Sequence, residues 1–286
     1  MKKYDYYQPE SLKQAFSLME KFKGSANYIA GGTDIIVQIK QGPARPDALI
    51  SLRGIEELKG ISACNGGVSI GSMTRFRDLE RDTVIADCFP ALTQAVSALA
   101  SPQVRNVATI GGNICNSSPC ADSVPPLMIT EARVIIEGPG GRREVNIDEF
   151  FTGPGSNCMD QIEILTGIKI SRNFEFQTGM AFMKNRRVAQ DLAIASAAVL
   201  ISMEGNICRK CRIAAGSVAP VPMRLKNVEK IVEGEKISPD LVNQVGIMVE
   251  KEVSPITDVR STEEYRRTVT GVMVKRAIEN SLSAIG

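Results

Sequence analysis

Two glycine pairs carry the strongest chemical signal in the sequence. Ala30-Gly31-Gly32-Thr33-Asp34 and Thr109-Ile110-Gly111-Gly112-Asn113 each join a glycine doublet to short hydrogen-bonding side chains. A diphosphate needs several donors at once, and residues without Cβ let backbone N–H groups approach it closely. Neither pair fits the G-x-G-x-x-G or P-loop pattern, so those two modes of nucleotide binding lose their support. Taken alone, each doublet reads as a simple turn. The second pair keeps more informative company: Ser101-Pro102-Gln103-Val104-Arg105-Asn106 precedes it and Asn116-Ser117-Ser118-Pro119-Cys120-Ala121-Asp122-Ser123 follows, with Arg105 the only positive charge. Such a set suits a ligand rich in hydroxyls, carbonyls and ring nitrogens better than bare phosphate.

Composition removes many rivals. The 286 residues contain no histidine, which excludes Ser-His-Asp and Cys-His catalysis, an H-E-x-x-H zinc site and a His-ligated haem. A net charge of +2 is too small for a phosphate-backbone field, so nucleic acid is not an expected partner. Mean hydropathy of −0.03 fits an ordinary globular chain. The longest apolar stretch, near residues 193–201, falls short of the roughly 20 residues a membrane span needs. No apolar segment follows Met1-Lys2-Lys3, so the expectation is a cytoplasmic protein without a signal peptide. Seven scattered cysteines, Cys64, Cys88, Cys115, Cys120, Cys158, Cys208 and Cys211, are read as reduced thiols. Only Cys208 and Cys211 have ligand spacing, and one such pair does not make a closed metal site.

The elements that must position the glycine pairs follow from hydrophobic period. Leu12, Ala15, Phe16, Met19 and Phe22 predict an amphipathic helix just after Pro9. Residues 26–30 read as a strand, 35–39 as a short helix or extended segment, and 48–52 as a second buried strand. Together they make a small α/β unit of about fifty residues. From Ile61 the period becomes two, with Asn65-Gly66 turning a hairpin between residues 61–64 and 68–71. Helices are expected around 74–80 and 91–99, followed by an irregular stretch over 101–126 that is too long for a plain connector. A hairpin around Pro139-Gly140-Gly141 and strands at 163–170, 176–184, 192–203 and 207–218 come next, and the rest is helical. Ser261 and Glu264 stand in capping-box positions. The fold class expected is α+β in three pieces, residues 1–56, 57–172 and 173–286.

On local grounds Asp122 and Asp34 read as helix caps, Lys184 as a solvated strand-end charge and Arg186-Arg187 as a surface pair. The motifs taken together say more. Ala30-Gly31-Gly32-Thr33-Asp34, the run from Ser101 through Thr109-Ile110-Gly111-Gly112-Asn113 to Asn116, and Asp122 nine positions beyond Asn113 resemble the FAD-binding subunit of the molybdenum hydroxylases. The resemblance covers nearly the whole chain, including Phe182-Met183-Lys184, Asp191-Leu192-Ala193 and the segment from Arg260 to Arg276. Within the family it is nearest to the separate flavin subunit of bacterial xanthine dehydrogenase, through Asn113-Ile114-Cys115-Asn116 and Thr152-Gly153-Pro154-Gly155.

What the resemblance implies can be stated residue by residue. The fold would be a two-subdomain FAD-binding domain of the vanillyl-alcohol-oxidase (PCMH) type, followed by a C-terminal domain of three-stranded antiparallel sheet and helices. Tyr28-Ile29-Ala30-Gly31-Gly32-Thr33-Asp34-Ile35 and Thr109-Ile110-Gly111-Gly112-Asn113 would wrap the FAD diphosphate. Asp122 would accept hydrogen bonds from the sugar or ribityl region, and Leu99 would lie beside the adenine. Leu165 or Thr166 would contact the cofactor through backbone groups, and Lys184 would stand near the flavin carbonyls. Some relatives place that lysine one residue earlier, where this chain has Met183. Val at Gly111 or Gly32 should then obstruct the diphosphate and leave the fold largely intact.

The activity implied is electron transfer, from 2Fe-2S clusters through FAD to NAD+, with no catalytic side chain and no metal on this chain. Molybdopterin would belong to a large partner subunit and the clusters to a small one, assembled as a dimer of heterotrimers. Xanthine or another purine would be oxidised on the large subunit. The alternatives are the equivalent subunit of a carbon monoxide, aldehyde, nicotinate or aromatic-thioester enzyme, a self-contained flavoenzyme, or a non-enzymatic flavin-binding assembly protein.

Overall fold

Alternation of strand and helix builds the first unit as a parallel sheet. The computed structural model describes residues 3–42, 44–64, 66–172 and 174–285. β1 (Asp5–Tyr7), α1 (Leu12–Lys21), β2 (Ala26–Ile29), α2 (Ile35–Gln41) and β3 (Ala48–Ser51) give the strand order β1-β3-β2, with Tyr7 and Tyr28 both opposite Ile50. Ala15 and Met19 of α1 share a core with Ala26, Ala48 and Ile50, and the Ser11 side chain caps the helix by accepting from the Gln14 N–H. The sequence gives no sign of β1, because three residues with Tyr6 turned to solvent make no periodic pattern.

The second unit is an antiparallel sheet whose strands lie in the order Ile61–Cys64, Gly67–Gly71, Ile164–Ser171, Arg133–Gly138 and Gly141–Asn146. Its chain runs through β4 (Ile61–Cys64) and β5 (Gly67–Gly71). It continues through α3 (Phe76–Arg81), α4 (Thr83–Cys88), α5 (Pro90–Ser97), α6 (Pro102–Arg105), α7 (Ile110–Cys115) and α8 (Val124–Ile129). β6 (Arg133–Gly138), β7 (Gly141–Asn146), α9 (Ile147–Phe150), β8 (Phe151–Gly153), β9 (Ser156–Asn157) and β10 (Ile164–Ser171) complete it. Asn65 of the expected hairpin turn and Asn173, at the expected boundary after residue 172, lie outside the described residues.

Residues 101–126 are not irregular as expected; they hold α6, α7 and the start of α8. Each helix is too short to show a period, but two carry cap signals: Ser101 accepts from the Val104 N–H and Thr109 from the Gly112 N–H.

In the third unit β11 (Gln177–Asn185), β12 (Ala195–Glu204) and β13 (Ile207–Gly216) form the expected three-stranded antiparallel sheet, and the two-residue β14 (Met223–Arg224) pairs with β13. α10 (Lys226–Val232), α11 (Pro239–Glu252) and α12 (Glu263–Ser283) follow. β12 is apolar along most of its length because its two faces meet different cores. Ala198 and Leu200 join the core of the second unit, whereas Ala197, Val199 and Ile201 pack with residues of α11 and α12. Thr262, not Ser261, caps α12 by accepting from the Tyr265 N–H. Cys208 and Cys211 both lie in the third core, brought to one side by a bulge opposite Ser202 and Met203. Among the described residues no helix is long and apolar enough to cross a membrane.

Candidate functional site

A cavity of about 450 Å³ opens where the three units meet, within the usual range for small-molecule sites. Its first wall is the turn between β2 and α2, where Gly32 has φ +82, a backbone conformation that suits glycine. The N–H groups of residues 31–35 take no hydrogen-bond partner among the described residues. Five successive main-chain donors unused by the protein, all on residues lining one cavity, form a concave donor set of the kind that holds anions. Asp34 holds the N-cap position of α2 as expected but makes no side-chain cap bond; its Oδ1 instead accepts from Asn116 Nδ2 at 3.1 Å.

The second glycine pair meets the first but contributes differently. Its N–H groups are engaged: Ile110 donates to Thr74 O, Gly111 to Ser72 O, and Gly112 to Thr109 Oγ1. Its glycines serve close packing. A Cβ on Gly111 would sit 2.6 Å from Ser72 Cβ and 2.7 Å from its carbonyl oxygen, and one on Gly112 would lie 3.5 Å from Ala30 Cβ. Val at Gly111 would therefore break the seat of α7 on β5, contrary to the expectation of an intact fold. At Gly32 any side chain is strained by the positive φ and meets Ile29 Cδ1 at 3.2 Å. Asn113 Oδ1 accepts from Ser123 Oγ at 2.7 Å, which leaves its amide N–H groups for the cavity.

The far end is built on a buried ion pair. Lys184 Nζ lies 2.6 Å from Asp122 Oδ2, with side chains 4% and 6% exposed, and also donates to Ala98 O at 3.3 Å. Asp122 is thus no helix cap and Lys184 no solvated strand-end charge; α8 takes Ser123 as its N-cap residue. Burial pushes the Asp122 carboxyl up, against the lowering pull of Lys184. Asp122 Oδ1 is buried with no partner among the described residues, an arrangement that costs free energy unless a bound group supplies a donor. Leu99 belongs to this same end, one residue from the carbonyl that Lys184 bonds. Leu99 and Lys184 therefore line neighbouring parts of the cavity wall.

Arg105 turns away from the cavity, although sequence placed it among the ligand-binding side chains. It is 7% exposed, forks onto Glu80 through Nε (3.2 Å) and Nη2 (3.1 Å), and donates to Leu99 O at 2.8 Å, so it braces the turn at Ala100. Ile29, Ile110 and Thr166 also do not line the cavity. Thr166 sits at a bulge in β10, accepting from the Ser72 N–H and donating its hydroxyl toward Glu137 Oε1, while its neighbour Leu165 reaches the cavity. The Tyr28 ring is fixed by its hydroxyl donating to Ile162 O at 3.0 Å. Sequence reasoning missed Ser72 and Met73 just after β5, Phe76 at the start of α3, and Gln190 and Leu192 at the mouth. None of them carries a spacing signal.

Cys115 also lines the cavity, its thiol pushed up to about 12 by burial and by nearby Cys158. At pH 8 only about one molecule in ten thousand then carries the reactive thiolate. Iodoacetamide should label the exposed Cys64 and spare Cys115 in the native chain, as read by peptide mass spectrometry. Equal labelling of the two would contradict the half-buried setting of Cys115 and the upward push on its thiol.

Residues 2–172 match the family described as the FAD binding domain in molybdopterin dehydrogenase, and residues 180–281 match the CO dehydrogenase flavoprotein C-terminal domain. The chain belongs to the family of FAD-binding medium subunits of the molybdenum hydroxylases. It is 32% identical over 98% of its length to the xanthine dehydrogenase FAD-binding subunit of Escherichia coli O157:H7, covering 97% of that protein. It is also 32% identical to the carbon monoxide dehydrogenase medium chain of Hydrogenophaga pseudoflava, over 96% of each chain. A solved structure of carbon monoxide dehydrogenase from that organism superposes with a TM-score of 0.96 at 31% identity, over 100% of this chain and 99% of the other. The free donors at residues 31–35 and the orphaned Asp122 Oδ1 fit a ligand that has an anionic centre and hydroxyl groups to one side of it.

Proposed function

We propose that the chain holds one FAD in this cavity and serves as the electron-transfer subunit of a molybdenum hydroxylase acting on xanthine or a related purine, with NAD+ as acceptor. The observation that carries the cofactor reading is the run of unused N–H donors at residues 31–35, beside a cavity that also presents a buried carboxylate oxygen without a partner. Gly31, Gly32, Thr33, Asp34 and Ile35 donate to the diphosphate, and Thr109, Gly112 and the Asn113 amide close over it. Tyr28 and Leu165 take the adenosine end. At the other end Asp122 accepts from ribityl hydroxyls through Oδ1, Lys184 stands beside the flavin carbonyls, and Leu99 packs against the ring.

FAD, when bound, supplies the exchange between single-electron and hydride chemistry. The protein supplies position and charge, and none of its side chains needs to act as a general base. The partners in this reading are a 2Fe-2S small subunit and a molybdopterin-binding large subunit, in a dimer of heterotrimers in the cytoplasm; relatives named as medium chains and FAD-binding subunits support it. Equal identity to a carbon monoxide dehydrogenase chain favours, as a second reading, the same role in an enzyme with another substrate.

Purification from the native source with co-eluting chains should yield flavin, iron and molybdenum together, with xanthine-dependent reduction of NAD+. Carbon monoxide oxidation by that complex would move the assignment to the second reading, and a chain that co-purifies without flavin would contradict both.

A further inference from the structure

The far end of the cavity is held by a carboxylate that does not line it. Asp258 Oδ1 accepts from the backbone N–H groups of Arg260 (2.8 Å) and Ser261 (3.3 Å) and from Arg266 Nη2 (2.8 Å). Its Oδ2 accepts from Arg260 Nε (3.1 Å) and Nη2 (2.7 Å). Each arginine then reaches a different part of the wall. Arg266, 2% exposed, donates through Nη1 to Ile194 O (2.6 Å) and Ser217 O (3.1 Å). Ile194 lies two residues past Leu192 at the mouth and donates its N–H to Asn185 O, next to Lys184. The Ser217 N–H donates to Pro119 O at 2.8 Å. Arg260 Nη1 approaches Cys120 Sγ at 3.6 Å, and Cys120 lines the cavity two residues before Asp122.

We propose that Asp258 is a positioning residue for the Asp122–Lys184 end of the cavity, acting through Arg260 on the stretch that carries Asp122 and through Arg266 on the stretch that follows Lys184. The inference rests on the FAD reading above. Asparagine at this position keeps one acceptor oxygen for the turn but turns an NH2 toward a guanidinium that is itself only a donor. Arg260 loses both of its contacts to Oδ2, and with them the brace that reaches Cys120, while Arg266 keeps only a neutral acceptor in place of a carboxylate.

The test uses the full chain. FAD titration followed by flavin fluorescence should give a Kd about tenfold higher for Asp258→Asn than for the parent, and iodoacetamide should label Cys120 several-fold faster in the cofactor-free variant. Glu229→Gln is the comparison. Glu229 is a carboxylate more deeply buried than Asp258, 4% exposed, and forked onto an arginine, Arg224, at 2.5 and 2.7 Å, but it does not line the cavity. It should lower the melting temperature and leave both readouts within about twofold. A Kd unchanged in Asp258→Asn, or raised equally by Glu229→Gln, overturns the proposal. If Asp258→Asn does not fold, Arg260→Ala decides, with about a threefold higher Kd and faster Cys120 labelling expected and unchanged values overturning it. A parent chain that takes up no FAD defeats the cofactor reading instead, and the Cys120 labelling rates then decide the positioning role alone.

Discussion

Asp122→Ala is expected to lower stability by about 3–5 kcal/mol, because it strands the buried Lys184 ammonium without its counter-charge. The Lys184 side chain is 4% exposed and retains only the longer contact to Ala98 O. The loss therefore exceeds what one cofactor hydrogen bond would account for. Asp122→Ala combined with Lys184→Met should recover most of that stability, since replacing a buried ion pair with apolar groups of similar volume is often close to neutral. FAD affinity should not recover with it. The orphaned Oδ1 that faces the ligand is gone in both variants, and affinity should remain lower by about 1–3 kcal/mol, or about 5- to 150-fold. Urea denaturation and FAD titration separate the two effects. Full recovery of affinity in the double variant would make Asp122 a purely structural partner of Lys184.

The second large effect is expected at Gly31. A Cβ there would lie 2.2 Å from Val107 O and 2.8 Å from Ala108 Cα, both backbone atoms that cannot swing aside. Gly31→Ala should force the donor turn away from residues 107–108, with an overpacking cost of about 1–3 kcal/mol and at least about tenfold weaker FAD binding. Gly140→Ala is the matched control, because nothing lies within 4 Å of the added carbon. Its stability and affinity should stay at the parent values. Normal FAD content in a folded Gly31→Ala chain would contradict the contact between the two glycine segments.

Period and punctuation made the long elements legible. The helix after Pro9 and the strands of the third unit follow from patterns of three to four and of two. α3 and α5 stand where helices were expected; β1, α4, α6 and α7 were not legible, because a segment of three to six residues has no room for a period and is fixed by what it packs on. In the site, the two glycine pairs could be found from residue type alone. Which of them has free donors could not, since that depends on the acceptors Ser72 O and Thr74 O, more than thirty residues away in sequence. Arg105 illustrates the same limit. Its charge marked it as a ligand contact, but Glu80, which takes that charge, is 25 residues away in sequence. Asp122 and Lys184, 62 residues apart, each read as a surface feature because neither reveals that it is buried against the other.

The central claim is that the backbone between β2 and α2 holds the cofactor's diphosphate, and a crystal structure of the full chain loaded with FAD tests it most directly. The account predicts phosphate oxygens within about 3.2 Å of main-chain nitrogens in the stretch from Gly31 to Ile35, with a ribityl hydroxyl against Asp122 Oδ1. Diphosphate oxygens bound elsewhere, with those five N–H groups facing only water, would contradict it.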